Sequence, residues 1–198
     1  MNETLELAEC FCNPIDKNVL TIYNHFRRYA IAIEKLSINN TDTVIDIACG
    51  QGYGSYILAQ KAFSVIGIDK NNNYLKTARD NFKYNSLRFK DTFPIESNFT
   101  VKKIVCIETI EHLRKNKIKG FINKLFAYLE FKGQIFFSFP IGTNKNSTYN
   151  KYHLCEPSTD FILDIISKKM YKINVEIESF INSFGHESKY CFMWGSKC

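Results

Sequence analysis

Residues 44–60 read VIDIACGQGYGSYILAQ, and this stretch decides the architecture. An apolar run of strand length, TVIDIA at 43–48, gives way to three glycines at alternate positions, Gly50, Gly52 and Gly54, and then to the start of a helix. Glycines in such a loop let the chain turn sharply, bring the backbone close to a ligand and leave amide groups exposed for hydrogen bonding. The spacing is GxGxG, where the dinucleotide-binding fingerprint requires GxGxxG. A nicotinamide-dependent oxidoreductase is therefore disfavoured.

Working outward, the pattern repeats. Upstream, Asp16 is a plausible N-cap, and apolar residues at Val19, Tyr23, Phe26, Ala30 and Ile33 recur at helical spacing, predicting an amphipathic helix over 17–36. Downstream, strands are expected at SVIGID, LRF, KKIVCIE and QIFFSF, with helices from Tyr53, at NNYLKTARDNF and through GFINKLFAYL. That alternation predicts an α/β fold, a parallel sheet with helices on both faces. The chain then changes character. YKINVEIESF alternates Tyr171, Ile173, Val175 and Ile177, expected inward, with Lys172, Asn174, Glu176 and Glu178, expected outward. KYCFMWG follows after a turn at NSFGHES, which predicts a closing hairpin and an antiparallel last strand.

A chain of 198 residues suits one full-sized domain, here 1–198, with residues 1–40 as an N-terminal helical extension and 41–198 as the core. Hydrophobic residues at 45% and charged residues at 23% are ordinary for a globular protein. The start, MNETLELAEC, lacks the basic and apolar regions of a signal peptide, and no apolar run approaches a membrane span, so a cytoplasmic location without membrane partners is expected. Cys10, Cys12, Cys49, Cys106, Cys155, Cys191 and Cys198 are odd in number and form no CxxC pair, which favours free thiols over a zinc site. The Asn-x-Ser/Thr matches at Asn2, Asn98 and Asn146 are chance products of an Asn-rich chain. The net charge of +6 permits nucleic-acid binding, although the lysines are scattered and form no block.

Ligands of open parallel sheets bind beyond the carboxyl ends of the strands, where the glycine loop lies. Asp69 ends the second predicted strand, 19 residues after Gly50, and can accept hydrogen bonds from ribose hydroxyls, each contributing about 1.5–3 kcal/mol before desolvation. Asp91 follows the third strand, placed to meet an adenine amino group, and Asp46 lies within the first. A ring of carboxylates cradles a pyrophosphate poorly and suits a cationic sulfonium nucleoside.

VIDIACGQGYG, VIGID, LRFKD and VCIETIEHL, in this order and spacing, resemble motifs I to IV of the class I S-adenosylmethionine-dependent methyltransferases. The resemblance covers roughly residues 40–140 and the terminal hairpin in outline. It implies a Rossmann-like, seven-stranded, mostly parallel sheet whose last strand is antiparallel, and S-adenosyl-L-methionine as cofactor. It also implies that Asp46, Gly50, Gly52 and Gly54 surround the methionine part, Asp69 the ribose and Asp91 the adenine, with Glu108 at the cofactor edge. One departure is the short stretch between Asp91 and Ile104, which leaves little room for a helix.

Methyl transfer is an in-line displacement, so much of the catalysis can come from alignment, and a hydroxyl acceptor also needs a base. ETIEHL places Glu108, Glu111 and His112 directly after the fourth strand. It resembles the ExxEH of ubiquinone-pathway O-methyltransferases, small-RNA 2'-O-methyltransferases and enzymes that methylate sugars. YNKYHLCEPSTDFILDII resembles the loop-to-helix stretch after the fifth strand in that group, which makes His153 and Glu156 active-site candidates. The implied catalytic residues are His112, His153 and Glu111. The site is expected to work without a metal, the alternative being a divalent ion on Glu108, Glu111, His112 and His153. YNHFRRYA resembles the HxxRY element of sugar-type methyltransferases, in which Arg28 would contact the cofactor carboxylate and Tyr29 cover the site. The alternative is a solvated Arg27/Arg28 pair. His186 is expected at the surface.

Where many amino-group methyltransferases carry (D/N)PP(Y/F), this chain reads CIET, which tilts the reading toward oxygen acceptors. O-methylation of a small molecule or saccharide is the expected activity. The alternatives are an RNA 2'-O-methyltransferase and a catalytically silent binding protein of the same fold.

Overall fold

The computed structural model describes residues 19–93, 99–147, 150–181 and 187–198. Asp16, Cys10, Cys12, Asn2, Asn98 and His186 lie outside them. The described strands, β1 (Thr43–Ile47), β2 (Ser64–Ile68), β3 (Leu87–Lys90), β4 (Val101–Ile107), β5 (Leu129–Pro140), β6 (Met170–Ile181) and β7 (Glu187–Lys197), form a seven-stranded sheet in the order β3-β2-β1-β4-β5-β7-β6, the mostly parallel, Rossmann-like arrangement expected. The described chain divides into two compact units, residues 19–93 with Ile181, and residues 99–147, 150–180 and 187–198.

The first unit contains α1 (Val19–Lys35), β1 (Thr43–Ile47), α2 (Tyr53–Ala59), β2 (Ser64–Ile68), α3 (Asn72–Asn81) and β3 (Leu87–Lys90). β1 pairs in parallel with β2, Asp46 opposite Gly67, and β2 with β3, Gly67 opposite Phe89. Val44, Ile45, Leu58, Val65, Leu75 and Ala78 form the buried interior. α3 starts where the Asn71 side chain accepts from the amides of Asn73 and Tyr74 at 3.0 and 3.3 Å, a side-chain cap. α2 starts differently. Its N-cap is Gly52 at φ 89°, a conformation open to glycine at no steric cost, so the loop itself launches the helix.

The second unit contains β4 (Val101–Ile107), a 3-10 turn (Ile110–His112), α4 (Lys115–Tyr128), β5 (Leu129–Pro140), α5 (Thr159–Ile166), β6 (Met170–Ile181, its last residue in the first unit) and β7 (Glu187–Lys197). β4 and β5 are parallel, and β7 runs antiparallel to β5. Phe136, Phe137, Phe139 and Phe192 are fully buried, with Ile104, Ile118 and Ile122. The Lys197 ammonium donates to the carbonyls of Phe126 and Leu129 at 2.8 and 2.6 Å, satisfying acceptors left over where α4 ends. β5 begins earlier than expected, at Leu129, and bends at Lys132, whose φ is 61°.

One expectation about packing is corrected. Tyr171, Val175 and Ile177 of β6 are exposed, the last at 56%, while Met170 and Phe180 are buried. Met170 and Phe180 lie an even number of residues apart and so share a face, on which Glu176 and Glu178 are half-buried: β6 is the last strand in the sheet order, and alternation there marks an apolar face without fixing which way it turns. Among the described residues no helix is long and apolar enough to cross a membrane. Cys49, Cys106, Cys155, Cys191 and Cys198 are all free thiols, as expected.

Candidate functional site

In the first unit, β1 delivers the chain into a loop in which every second residue is left-handed: Ala48 at φ 55°, Gly50 at 54° and Gly52 at 89°. The three glycines serve three different needs. A side chain on Gly50 would meet no heavy atom within 4 Å, so open space fronts the backbone there. A Cβ on Gly52 would lie 2.6 Å from the Phe89 ring and 2.7 Å from Ala78, and one on Gly54 would lie 1.9 Å from the Tyr29 ring. Gly50 thus opens the loop, whereas Gly52 and Gly54 let aromatic rings close beneath it.

Asp69 joins this loop to the start of α3. Its Oδ2 accepts from the Gly50 amide at 2.9 Å and its Oδ1 from the Asn71 amide at 2.8 Å. An ionised carboxylate offers about four lone-pair sites, so two N–H donors orient Asp69 and leave capacity for hydroxyls. Asp91 follows β3 directly and is exposed. Asp46 is placed otherwise: it is fully buried and accepts from Ser55 Oγ at 2.6 Å and from the Tyr29 hydroxyl at 3.4 Å. Burial pushes its carboxyl up to about 7, against the opposing effect of those two bonds. The Tyr29 hydroxyl is pushed up in turn by burial and by Asp46. Arg28 is buried at 3% exposure while Arg27 is exposed, so a solvated Arg27/Arg28 pair is not what forms. His25 Nδ1 meets the Tyr53 hydroxyl at 2.8 Å, and burial together with Arg28 holds its imidazole well below the usual range.

In the second unit, Glu108 directly follows β4 in a left-handed conformation, φ 48°, which costs a non-glycine residue about 1–3 kcal/mol. Two bonds hold it there. Its amide donates to the Ser138 carbonyl at 2.9 Å, and Ser138 Oγ donates to Glu108 Oε1 at 2.6 Å. The 3-10 turn that follows presents Glu111, fully buried, and His112. His112 Nδ1 lies 3.1 Å from the Tyr152 carbonyl. A carbonyl only accepts, so the neutral ring carries its proton on Nδ1 and keeps a lone pair on Nε2. That Nε2 lies 3.9 Å from Glu111 Oε1. Burial lowers the His112 imidazole, with the neighbouring His153 adding to the effect, so the lone pair is present at neutral pH.

His153 is oriented in the same manner. Its Nδ1 donates to Glu156 Oε1 at 2.8 Å, a bond that also draws the Glu156 carboxyl down. The two imidazoles stand edge to face, centroids 5.2 Å apart. One donor atom each from Glu111, His112 and His153 falls within 4.8 Å of the others. The predicted catalytic trio therefore does come together, and Glu108, bonded to Ser138, lies outside this grouping. Two acceptor nitrogens beside a buried carboxylate form a place that favours a proton or a cation. The sequence reading missed Ser55, Ser138 and Tyr53: Ser55 and Ser138 lie outside the four motifs, and Tyr53 stands between two of the motif glycines.

The family model described as mycolic acid cyclopropane synthetase matches residues 16–171. The ubiquinone biosynthesis O-methyltransferase of Rickettsia akari (strain Hartford) is 26% identical over 165 residues, which is 80% of this chain and 59% of that protein. The chain thus spans less than two thirds of that relative's length. The N-methyltransferase NodS from Bradyrhizobium japonicum WM9, solved with S-adenosyl-L-homocysteine, superposes with a TM-score of 0.70 at 13% identity, covering 92% of this chain and 90% of its own. Magnesium protoporphyrin IX methyltransferase (ChlM) from Synechocystis PCC 6803, with S-adenosyl-L-homocysteine bound, gives 0.69 at 14% identity, covering 89% and 85%. At those identities the two structures share the fold.

Proposed function

Since the chain belongs to the mycolic acid cyclopropane synthetase family, within the class I S-adenosylmethionine-dependent methyltransferases, we propose that it transfers a methyl group to a hydroxyl of a small molecule or saccharide. S-Adenosyl-L-methionine is the cofactor of that family, and the first unit fits it. The open face at Gly50 admits a ligand against the backbone, and Asp69, oriented by two amides, suits the ribose hydroxyls. Asp91 is the candidate for the adenine amino group, Arg28 for the methionine carboxylate, and Glu108 for the cofactor edge. Asp46, Gly52 and Gly54 support the loop from behind through Ser55, Phe89 and Tyr29. When bound, the cofactor supplies an electrophilic methyl whose S–C bond breaks as the new O–C bond forms.

What the chain itself must add is removal of the hydroxyl proton. The observation that carries the reading is the tautomer of His112: with Nδ1–H turned to the Tyr152 carbonyl, Nε2 is the atom free to take that proton. Glu111 stabilises the imidazolium that results, and His153, braced by Glu156, is the second base candidate. The grouping of Glu111, His112 and His153 favours one further reading, in which a divalent cation binds the acceptor oxygen. Two histidines whose Nδ1–H groups are tied to a carbonyl and a carboxylate match the usual outer support of metal-binding imidazoles.

A thermal-shift titration with S-adenosylmethionine, S-adenosylhomocysteine and NAD, each with and without Mg²⁺, tests both readings. Either sulfur nucleoside at 100 times its dissociation constant stabilises by about 2.7 kcal/mol, and NAD does not. Absence of a shift with both sulfur nucleosides refutes the donor assignment. A further shift on adding Mg²⁺ that is lost in His112→Ala favours the metal reading over the simple base.

A further inference from the structure

A second surface of the first unit carries chemistry that methyl transfer does not use. Between the end of α3 and β3 lies an open cavity of about 670 Å³. Its cationic wall is Arg79, Lys83 and Arg88, and Phe82, Tyr84 and Phe89 form an aromatic one. All three cations are exposed. Among the described residues, Arg79 donates only to the Phe89 carbonyl at 3.0 Å, and Arg88 only to the carbonyls of Asn85 and Leu87 at 3.0 and 2.8 Å. Carbonyls fix a guanidinium without neutralising it, and each arginine has five N–H donors, so both keep charge and donors for an outside anion. Lys83 has no ion-pair partner among the described residues, and neither do Asp80 and Asp91, the exposed carboxylates next to the cavity in sequence.

The aromatic wall is held at a fixed angle. Tyr56 packs on Phe82 at 5.4 Å and meets Tyr84 edge to face at 6.0 Å, and Tyr84 as a residue remains 44% exposed. Asn85, also lining the cavity, adds an amide that can both donate and accept. β3, the first strand in the sheet order, contributes Leu87, Arg88 and Phe89 to the cavity lining.

We propose that this groove binds single-stranded nucleic acid, its cations meeting backbone phosphates and Tyr84 stacking on a base. Unneutralised cations beside an exposed, braced aromatic ring are what such binding requires, since phosphate contacts supply affinity and stacking tolerates any base. An acidic protein surface would use the charges and leave the ring idle.

The test is fluorescence anisotropy of a labelled 12-nucleotide oligouridine against the full chain, between 50 and 200 mM salt. Three phosphate contacts give a slope of log K on log salt of about −2. Lys83→Glu flattens that slope, whereas Tyr84→Ala weakens binding about 5-fold or more with the slope unchanged. Lys83 and Tyr84 are outside the methyl-donor residues, so both variants keep the S-adenosylhomocysteine thermal shift, which also verifies their folding. No binding at 50 mM salt, or binding by both variants equal to the wild type, overturns the proposal. Binding that Lys83→Glu weakens and Tyr84→Ala leaves unchanged marks a general polyanion surface, and overturns it as well.

Discussion

Gly54 is the residue with the least room in the first unit, its Cβ direction pointing 1.9 Å from the Tyr29 ring. Gly54→Ala must displace that ring and with it the hydroxyl directed at Asp46, so we expect a loss of about 1–3 kcal/mol, measured by urea denaturation. An unchanged midpoint would mean that Tyr29 moves freely. At this scale the sequence was legible wherever a residue's place follows from its distance to a strand end. Asp69, Glu111 and His112 are such cases, and each lies where the motif spacing put it. Asp46 is a different case. Its position in the strand was plain, but its enclosure by Ser55 and Tyr29 depends on side chains 9 and 17 residues away, whose approach no local pattern announces.

At the scale of elements, β6 separates what periodicity reveals from what it hides. β1, β4 and the QIFFSF part of β5 read clearly because strands enclosed on both faces are continuous apolar runs. β6 alternates, and alternation shows that one face is apolar without showing which way it turns. The buried residues, Met170 and Phe180, belong to the other set, and YKINVEIESF does not signal it, because Met170 precedes the stretch and Phe180 is its last residue. Ile177→Lys should therefore change stability by no more than about 0.5 kcal/mol. Phe180→Ala should cost about 3–5 kcal/mol, because Phe180 is buried against the rings of Tyr190 and Phe192. Chemical denaturation of the two variants checks both; a large loss for Ile177→Lys would restore the inward orientation.

For the molecule as a whole, Asp46 links global stability to pH. Unfolded, its carboxyl loses its proton near 4, and folded near 7, so between these values unfolding releases a proton and stability falls as pH rises. Above about 7 the contribution is flat. His25 acts in the opposite sense, since its lowered imidazole withdraws stability as pH drops below 6.5, and only a single-residue comparison isolates Asp46. Wild-type stability relative to Asp46→Asn should decline from pH 5 to pH 7 and then level off; a difference constant over that range refutes the assignment. The open face at Gly50 has an evolutionary consequence. A side chain there meets only strain in the backbone and no neighbour, so Gly50→Asn would leave folding largely intact while filling the space before the loop. One substitution could thus turn an enzyme of this architecture into a stable scaffold without a cofactor, which makes Gly50 the first position to inspect in any homologue suspected of having abandoned catalysis.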